Sequence, residues 1–264
     1  MEKQIIYRQY PVTYRIEGKG KPVVFIHGFG EAGTIWDEQI NFLATHCQLI
    51  VPDIPGSGKS PYHPTLESID DYAEVINTIL TEEKIDRCIM LGHSMGGYIT
   101  LAFAEYYPHK LSGFGLIHST AFADSEEKKN NRLRGIAMME EYGAYAFLRN
   151  TIPNLFSLAF KEAKPNKIES LIEQSRLFTK EACQQYYKAM MNRPDRTALL
   201  KNNPLPVLFV CGKEDVAAPL NDLLQQIHLP ECSYIHIMDR VGHMGMWEAT
   251  EKVNYFLLEF ISYN

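Results

Sequence analysis

Two hydrophobic rhythms alternate along the chain. Residues 22–26, 48–52, 87–91, 113–117, 206–211 and 233–238 are short, mainly apolar runs. Successive strand side chains point to opposite faces, so a strand covered on both sides needs apolar residues in a row. These runs therefore predict buried parallel strands. The segments between them repeat apolar residues at helical spacing. Residues 31–43 place Trp36 and Ile40 on one face, and 66–82 do the same with Ile69, Tyr72, Val75, Ile76 and Ile79. Residues 98–105, with Pro108 ending the helix, 220–227 and 247–261 complete the helical set. Near the N-terminus, 4–9 and 12–17 alternate apolar and polar residues around Tyr10-Pro11, the pattern of an antiparallel edge pair. Strand, helix and strand in repetition predict an α/β chain with a mostly parallel sheet covered on both faces.

The rhythm changes between Ala121 and Asn203. Helical patterns occupy 125–129, with Asp124 as a cap, then 134–148 with a break at Pro153, 168–177 and 180–191, and no strand pattern interrupts them. Strand signals return after Pro204. The expected organisation is one core built from 1–120 and 204–264, with 121–203 as a helical insertion. A chain of 264 residues is ample for such a core.

The net charge of -6, with no basic cluster of useful length, argues against nucleic acid as a partner. Glu126-Glu127-Lys128-Lys129 reads as a solvated helix surface. The cysteines, Cys47, Cys88, Cys183, Cys211 and Cys232, are odd in number and never in C-x-x-C spacing, which excludes a disulfide framework or zinc site as the expectation. Cys88 and Cys211 lie in apolar strand runs and read as small core residues. No apolar run is long enough to span a bilayer, and the N-terminus lacks a signal-peptide core. The expectation is a cytoplasmic, reduced protein without membrane contact. Oligomeric state stays open.

Chemistry concentrates at Gly92-His93-Ser94-Met95-Gly96-Gly97, between a predicted strand and a predicted helix. A serine in a tight strand-to-helix turn needs neighbours without Cβ atoms, and the turn holds its hydroxyl out at the sheet's C-terminal edge. Ser94 is a weak nucleophile until a base takes its proton. His243, in Gly242-His243-Met244-Gly245 between the last strand and last helix, is the best-placed base, whereas His228 and His236 fall at a helix end and in a strand. Asp215, directly after a strand, is the favoured carboxylate over its neighbour Glu214. The order Ser94, Asp215, His243 is the order known for such sheets. An oxyanion hole needs two backbone N–H donors, and Met95 and Phe29 (in His27-Gly28-Phe29-Gly30) occupy the right turns. His27 reads as a structural hydrogen bonder and His93 as packing beside the elbow. Gly58-Lys59-Ser60 ends like a phosphate-binding loop, but Asp53 stands where that motif needs glycine and Pro61 follows where a helix would open. No cofactor and no metal are expected.

These stretches, together with Asp53-Ile54-Pro55-Gly56-Ser57-Gly58-Lys59-Ser60 and Gly212 to Asp215 with Pro219, resemble the α/β-hydrolase superfamily from near the N-terminus to the last helix. The resemblance implies Ser94 as nucleophile, Asp215 as acid, His243 as base, and Phe29 and Met95 as oxyanion donors. It also implies an eight-stranded sheet with a helical cap after the sixth strand. Asn192-Arg193-Pro194-Asp195-Arg196 is similar to a stretch of esterase and enol-lactonase members. Related dehalogenases and epoxide hydrolases place Asp at the nucleophile, and Ser94 speaks against both. The expected activity is hydrolysis of a small or medium carboxylic ester or lactone through an acyl-enzyme. The alternatives are carbon–carbon hydrolysis or lyase chemistry on the same triad, or a ligand sensor on a hydrolase scaffold. The insertion's bulky residues, among them Met138, Met139, Tyr142, Tyr145, Phe147, Phe156, Phe160, Phe178, Tyr186 and Tyr187, are expected partly to roof an apolar pocket. Arg132, Arg134, Arg193 and Arg196 are candidates for a carboxylate clamp there.

Overall fold

The computed structural model describes residues 1–264. Eight strands form one sheet: β1 Glu2–Tyr7, β2 Tyr10–Gly18, β3 Pro22–Ile26, β4 Gln48–Pro52, β5 Cys88–His93, β6 Leu111–Ile117, β7 Val207–Gly212 and β8 Ser233–Met238. Their spatial order is β1-β2-β4-β3-β5-β6-β7-β8. β1 and β2 pair antiparallel at one edge, β2 pairs antiparallel with β4, and every other pairing is parallel. Strands β3, β4 and β8 have the limits expected from the hydrophobic pattern. β5 runs two residues further than expected, carrying the strand straight into the Ser94 turn.

Helices α1 Asp37–Leu43, α2 Ile69–Glu82 and α3 Met95–Tyr106 follow strands β3, β4 and β5 in turn. The continuous apolar runs supply both faces of the sheet. Val24, Ile26, Ile50 and Met90 join the core under α2 and α3. Val23, Phe25, Leu49, Val51, Ile89 and Leu91, at the alternate positions, join the core that holds Trp36, Ile40 and Leu43 on the other face. Two helices differ from expectation. The segment 31–43 is a short 3-10 turn, Gly33–Trp36, before α1. Ser68 caps α2 with a reciprocal box to Asp71, so that helix starts three residues later than its apolar pattern.

Between β6 and β7 lies the helical insertion: α4 Glu126–Thr151, α5 Leu158–Ala163, α6 Pro165–Gln174, α7 Lys180–Asn192 and α8 Thr197–Lys201. Ser125, not Asp124, caps α4; its side chain accepts from the Lys128 N–H, 3.2 Å. Asp124 is instead buried beneath two arginines. One helix covers the two patterns expected at 125–129 and 134–148; it is kinked at Gly143 (φ 83°) and ends at Thr151, giving way to a 3-10 turn at the break expected at Pro153. After β7 come α9 Leu220–Leu224, α10 Gly245–Glu248 and α11 Thr250–Tyr263. The last helix is thus split at Ala249, and α9 is shorter than its pattern. All five cysteines are free.

Candidate active site

The sheet's C-terminal edge gathers the predicted residues. Between the end of β5 and the start of α3, Ser94 stands alone with φ 50° and ψ −114°. A non-glycine residue is rarely held there, and the surroundings must over-determine it. They do. The Ser94 N–H donates to the Ile117 carbonyl, 3.0 Å, and the Ser119 hydroxyl donates to the Ser94 carbonyl, 2.7 Å. The flanking glycines are required by contact: a Cβ on Gly92 would lie 2.1 Å from the Gly96 carbonyl oxygen, and one on Gly96 would lie 2.3 Å from that of Ile26.

His243 and Asp215 meet behind this turn. The His243 Nδ1 is 2.9 Å from Asp215 Oδ2, and both side chains are buried. Asp215 Oδ1 accepts from the N–H groups of Ala217 and Ala218, 2.9 and 2.8 Å, which fixes the carboxylate in the turn after β7. Glu214 points elsewhere and accepts from Leu158 N–H at 3.4 Å. Burial opposes ionisation of Asp215, but His243 and a second imidazole, His118, hold its carboxyl far below the usual range. Burial likewise disfavours the His243 cation, yet the Asp215 carboxylate outweighs it and raises the imidazole above its ordinary value. With Asp215 ionised, Nδ1 carries the His243 proton and Nε2 is the basic nitrogen.

Ser94 and His243 are tied together through His93. Its Nε2 donates to the His243 carbonyl, 2.9 Å, and the two rings are 4.8 Å apart. The other His93 nitrogen bonds Glu31 Oε2, 3.0 Å, and that carboxylate oxygen accepts from the Gly28 N–H, 2.7 Å. His93 is therefore a strut between the loop after β3, the Ser94 turn and the His243 loop, and does more than pack. His27 bonds Ser57 Oγ, 2.8 Å, and accepts from the Ile54 N–H, 3.1 Å, a fully structural arrangement. The backbone N–H groups of Phe29 and Met95 donate to nothing within the protein. Asp53 accepts from Gly33 and Lys59 N–H groups, both at 2.8 Å, so the 55–60 loop is held by a carboxylate, not shaped for a phosphate.

Two residues escaped sequence reasoning. His118, fully buried at the C-terminal end of β6, bonds the same Asp215 oxygen as His243, 3.1 Å away. Burial lowers its pKa, so it is a neutral donor to the carboxylate. Its position just past a strand end was the available signal, because open α/β sheets collect their chemistry there. His118, Asp215 and His243 also bring three ligand-type atoms within 4.8 Å. Glu248 accepts from the N–H groups of Gly242, Met244 and Ser157, at 3.1, 3.1 and 2.9 Å, and so shapes the loop that presents His243. Nothing in the sequence marks it.

The insertion packs on the loops around Ser94. The Phe29 ring lies 4.6 Å from Tyr187 and 6.4 Å from Phe147. Tyr186 donates to the Pro55 carbonyl, 2.7 Å, and the His243 N–H donates to that of Leu155, 2.7 Å. Tyr142 is 63% exposed and belongs to the outer surface, against the expectation that it contributes to a roof. Of the four arginines, Arg134 is exposed, and Arg196 is consumed by Asp70 and Glu105, at 2.5 and 2.9 Å. Cavities of about 600, 510 and 370 Å³ lie elsewhere, and none of these is lined by Ser94.

Comparison with known proteins bears on this arrangement. A family model described as alpha/beta hydrolase fold matches residues 21–136. A 2-hydroxy-6-oxononadienedioate/2-hydroxy-6-oxononatrienedioate hydrolase of Paraburkholderia phymatum is 26% identical, over 95% of this chain and 90% of that protein. A thermophilic esterase from Thermogutta terrifontis, solved with malate bound, superposes with a TM-score of 0.93 at 26% identity, covering 99% and 98% of the two chains. The enol-lactonase from Burkholderia xenovorans LB400 superposes with a TM-score of 0.91 at 19% identity, over 98% and 100%, which shows the common fold.

Proposed function

We propose that this member of the α/β-hydrolase superfamily is a serine hydrolase acting on a small or medium carboxylic ester or lactone. The observation that carries the reading is the buried Asp215–His243 pair, joined through His93 to a turn that strains Ser94 to φ 50°. Ser94 Oγ attacks the carbonyl carbon while His243 Nε2 takes its proton. The oxyanion is received by the N–H groups of Phe29 and Met95, which lack partners in the protein and so need no rearrangement to donate. The tetrahedral intermediate collapses, His243 protonates the leaving alcohol, and an acyl-enzyme remains. His243 then activates water, which releases the acid and regenerates Ser94. Asp215 holds the imidazole in the tautomer this sequence requires, and His118 is a second donor to its carboxylate.

In this reading residues 121–203 form a cap over the site, and Tyr187, Phe147 and Phe29 make its apolar lining. The relatives support hydrolysis at large, and one of them is by its name a hydrolase of a dioate, so carbon–carbon bond hydrolysis on the same residues is the second reading. A fluorophosphonate decides the nucleophile. It is expected to label Ser94 in the native protein, and Ser94→Ala is expected to lower kcat by roughly 10⁵- to 10⁶-fold with the fold intact. Labelling of another serine, or an active alanine variant, would sink the proposal. A panel of esters, lactones and vinylogous 1,5-diketones then separates the two bond types.

A further inference from the structure

Two arginines share one buried carboxylate next to the proposed site. Asp124, at the start of the insertion, has a fully buried carboxylate that is paired with two guanidiniums, Arg132 and Arg193. One anion against two permanent cations leaves a net charge of +1. Beside Arg193, Arg196 stands between two carboxylates, Asp70 and Glu105, whose surplus negative charge is 34% and 45% exposed to water. Lys128, one turn earlier on α4, is itself paired with Asp222. Burial pushes the Tyr187 phenol up to about 12, so it stays neutral.

The two arginines are unequal. Arg193 is 6% exposed and largely occupied: besides Asp124, at 2.7 Å, it donates to the carbonyls of Met190 and Phe122, at 2.7 and 2.9 Å, and its guanidinium carbon lies 3.8 Å from the centre of the Tyr98 ring, so that only its Nε is without a partner. Arg132 donates only to Asp124, through Nε and one Nη2 hydrogen. A guanidinium has about five N–H donors, so most of its fork has no protein partner. Its side chain is 17% accessible, whereas that of Arg193 is 3%.

The neighbours of Arg132 lead to the serine. Its guanidinium lies over the Tyr187 ring, 5.1 Å from the centroid, and Tyr187 packs at 4.6 Å on Phe29, one of the two proposed oxyanion donors. Arg193, the other partner of Asp124, lies over the Tyr98 ring, and Tyr98 sits one turn along α3 from Ser94. One turn further along α4, a Cβ on Gly135 would come 2.7 Å from the Tyr187 ring, so the Arg132 face of α4 is pressed onto this wall.

Building on the hydrolase reading, we propose that Arg132 is the anion-recognising residue of the substrate pocket, and that the preferred ester or lactone carries a carboxylate. Asp124 aims the fork, Arg193 anchors Asp124, and the free N–H groups of Arg132 pair with the substrate's carboxylate inside the capped site, where water does not compete.

A matched pair of substrates tests this: monomethyl adipate, which is anionic, and methyl hexanoate, which is neutral, each followed by acid release. The wild-type protein is expected to favour the anionic ester in kcat/KM. Arg132→Met should lower kcat/KM for monomethyl adipate roughly 10- to 100-fold, the effect of one charge-assisted hydrogen bond, while methyl hexanoate changes by less than about threefold. Arg132→Lys keeps the charge without the fork and should fall between the two. Should Arg132→Met fail to fold, the wild-type ratio and Arg132→Lys decide alone. Equal losses on both esters, or no wild-type preference for the anion, would overturn the assignment while turnover of methyl hexanoate and labelling of Ser94 left the hydrolase reading standing. Absence of both turnover and labelling would end the two together.

Discussion

Ser94 illustrates how a single residue is set up by its surroundings. Its left-handed backbone is unfavourable in isolation and is held by hydrogen bonds from β6 and by two glycines that no other residue can replace. At Asp215 the effect is electrostatic: two imidazoles and two backbone N–H groups keep a buried carboxyl ionised. Asp215→Asn should therefore lower kcat by about 10⁴-fold through the wrong imidazole tautomer. Glu214→Gln, which touches only the Leu158 N–H, should leave kcat within about threefold, near the null effect of an ordinary surface change. The reverse ranking would exchange the two carboxylates. The same pair sets a pH dependence. His243 must be neutral to take a proton, and Asp215 raises its pKa above the ordinary ~6.5. Activity is thus lost as pH falls through that raised value, and the acidic limb of kcat/KM should lie above ~6.5. In Asp215→Asn the raising charge is gone, so the limb of the residual activity should move down. A limb that stayed in place would assign the titration to another group.

At the scale of elements, the catalytic candidates are carried by turns, and carboxylates tie down several of the loops around them. Glu31 holds the loop after β3, Asp53 the loop after β4, and Glu248 the loop before α10. Glu248 accepts from three backbone N–H groups on two different segments, one of them in the insertion. Glu248→Ala leaves those donors unsatisfied, and a buried orphan donor costs about 1–3 kcal/mol. Denaturant unfolding should show a loss of at least about 2 kcal/mol, with kcat falling because the His243 loop loosens. An unchanged midpoint would mean that Gly242 and Met244 find other acceptors.

For the molecule as a whole, two apolar layers cover the sheet, and polar side chains converge at its C-terminal edge. The insertion packs onto that edge through Tyr186, Tyr187 and Leu155. The proposed cap, resting on Phe29 and the 54–55 turn, is expected to admit a compact acyl group more readily than a long one. Across p-nitrophenyl esters, kcat/KM should therefore peak between acetate and hexanoate and be at least about tenfold lower for palmitate, the cost of a few unburied methylenes at ~0.8 kcal/mol each. A profile that climbs to palmitate, with activation at oil–water interfaces, would make the closed roof wrong.

The sequence by itself determined what depends on local pattern. Apolar runs mark β3 and β4 to the residue, because a strand covered on both faces has little polar alternative, and the run at 233–238 marks β8 as well, although that edge strand is only partly buried. Gly92-x-Ser94-x-Gly96 between strand and helix marks the elbow, because only that turn crowds its neighbours so closely. Asp215 and His243 are legible as residues just past strand ends. Tertiary structure decided what depends on partners remote in the chain. The bond from His118 to Asp215 spans 97 positions and that from His93 to His243 spans 150, and no periodicity encodes either. Asp124 shows the difference most plainly. By its position it reads as a helix cap, and Ser125 takes that role locally. What Asp124 does instead is set by Arg193, brought from 69 positions away, and by the Arg132 whose fork the pair leaves half unused. Capping is a local competition that the adjacent residue can win, whereas a buried ion pair forms only where the folded chain brings its members together and excludes water from both.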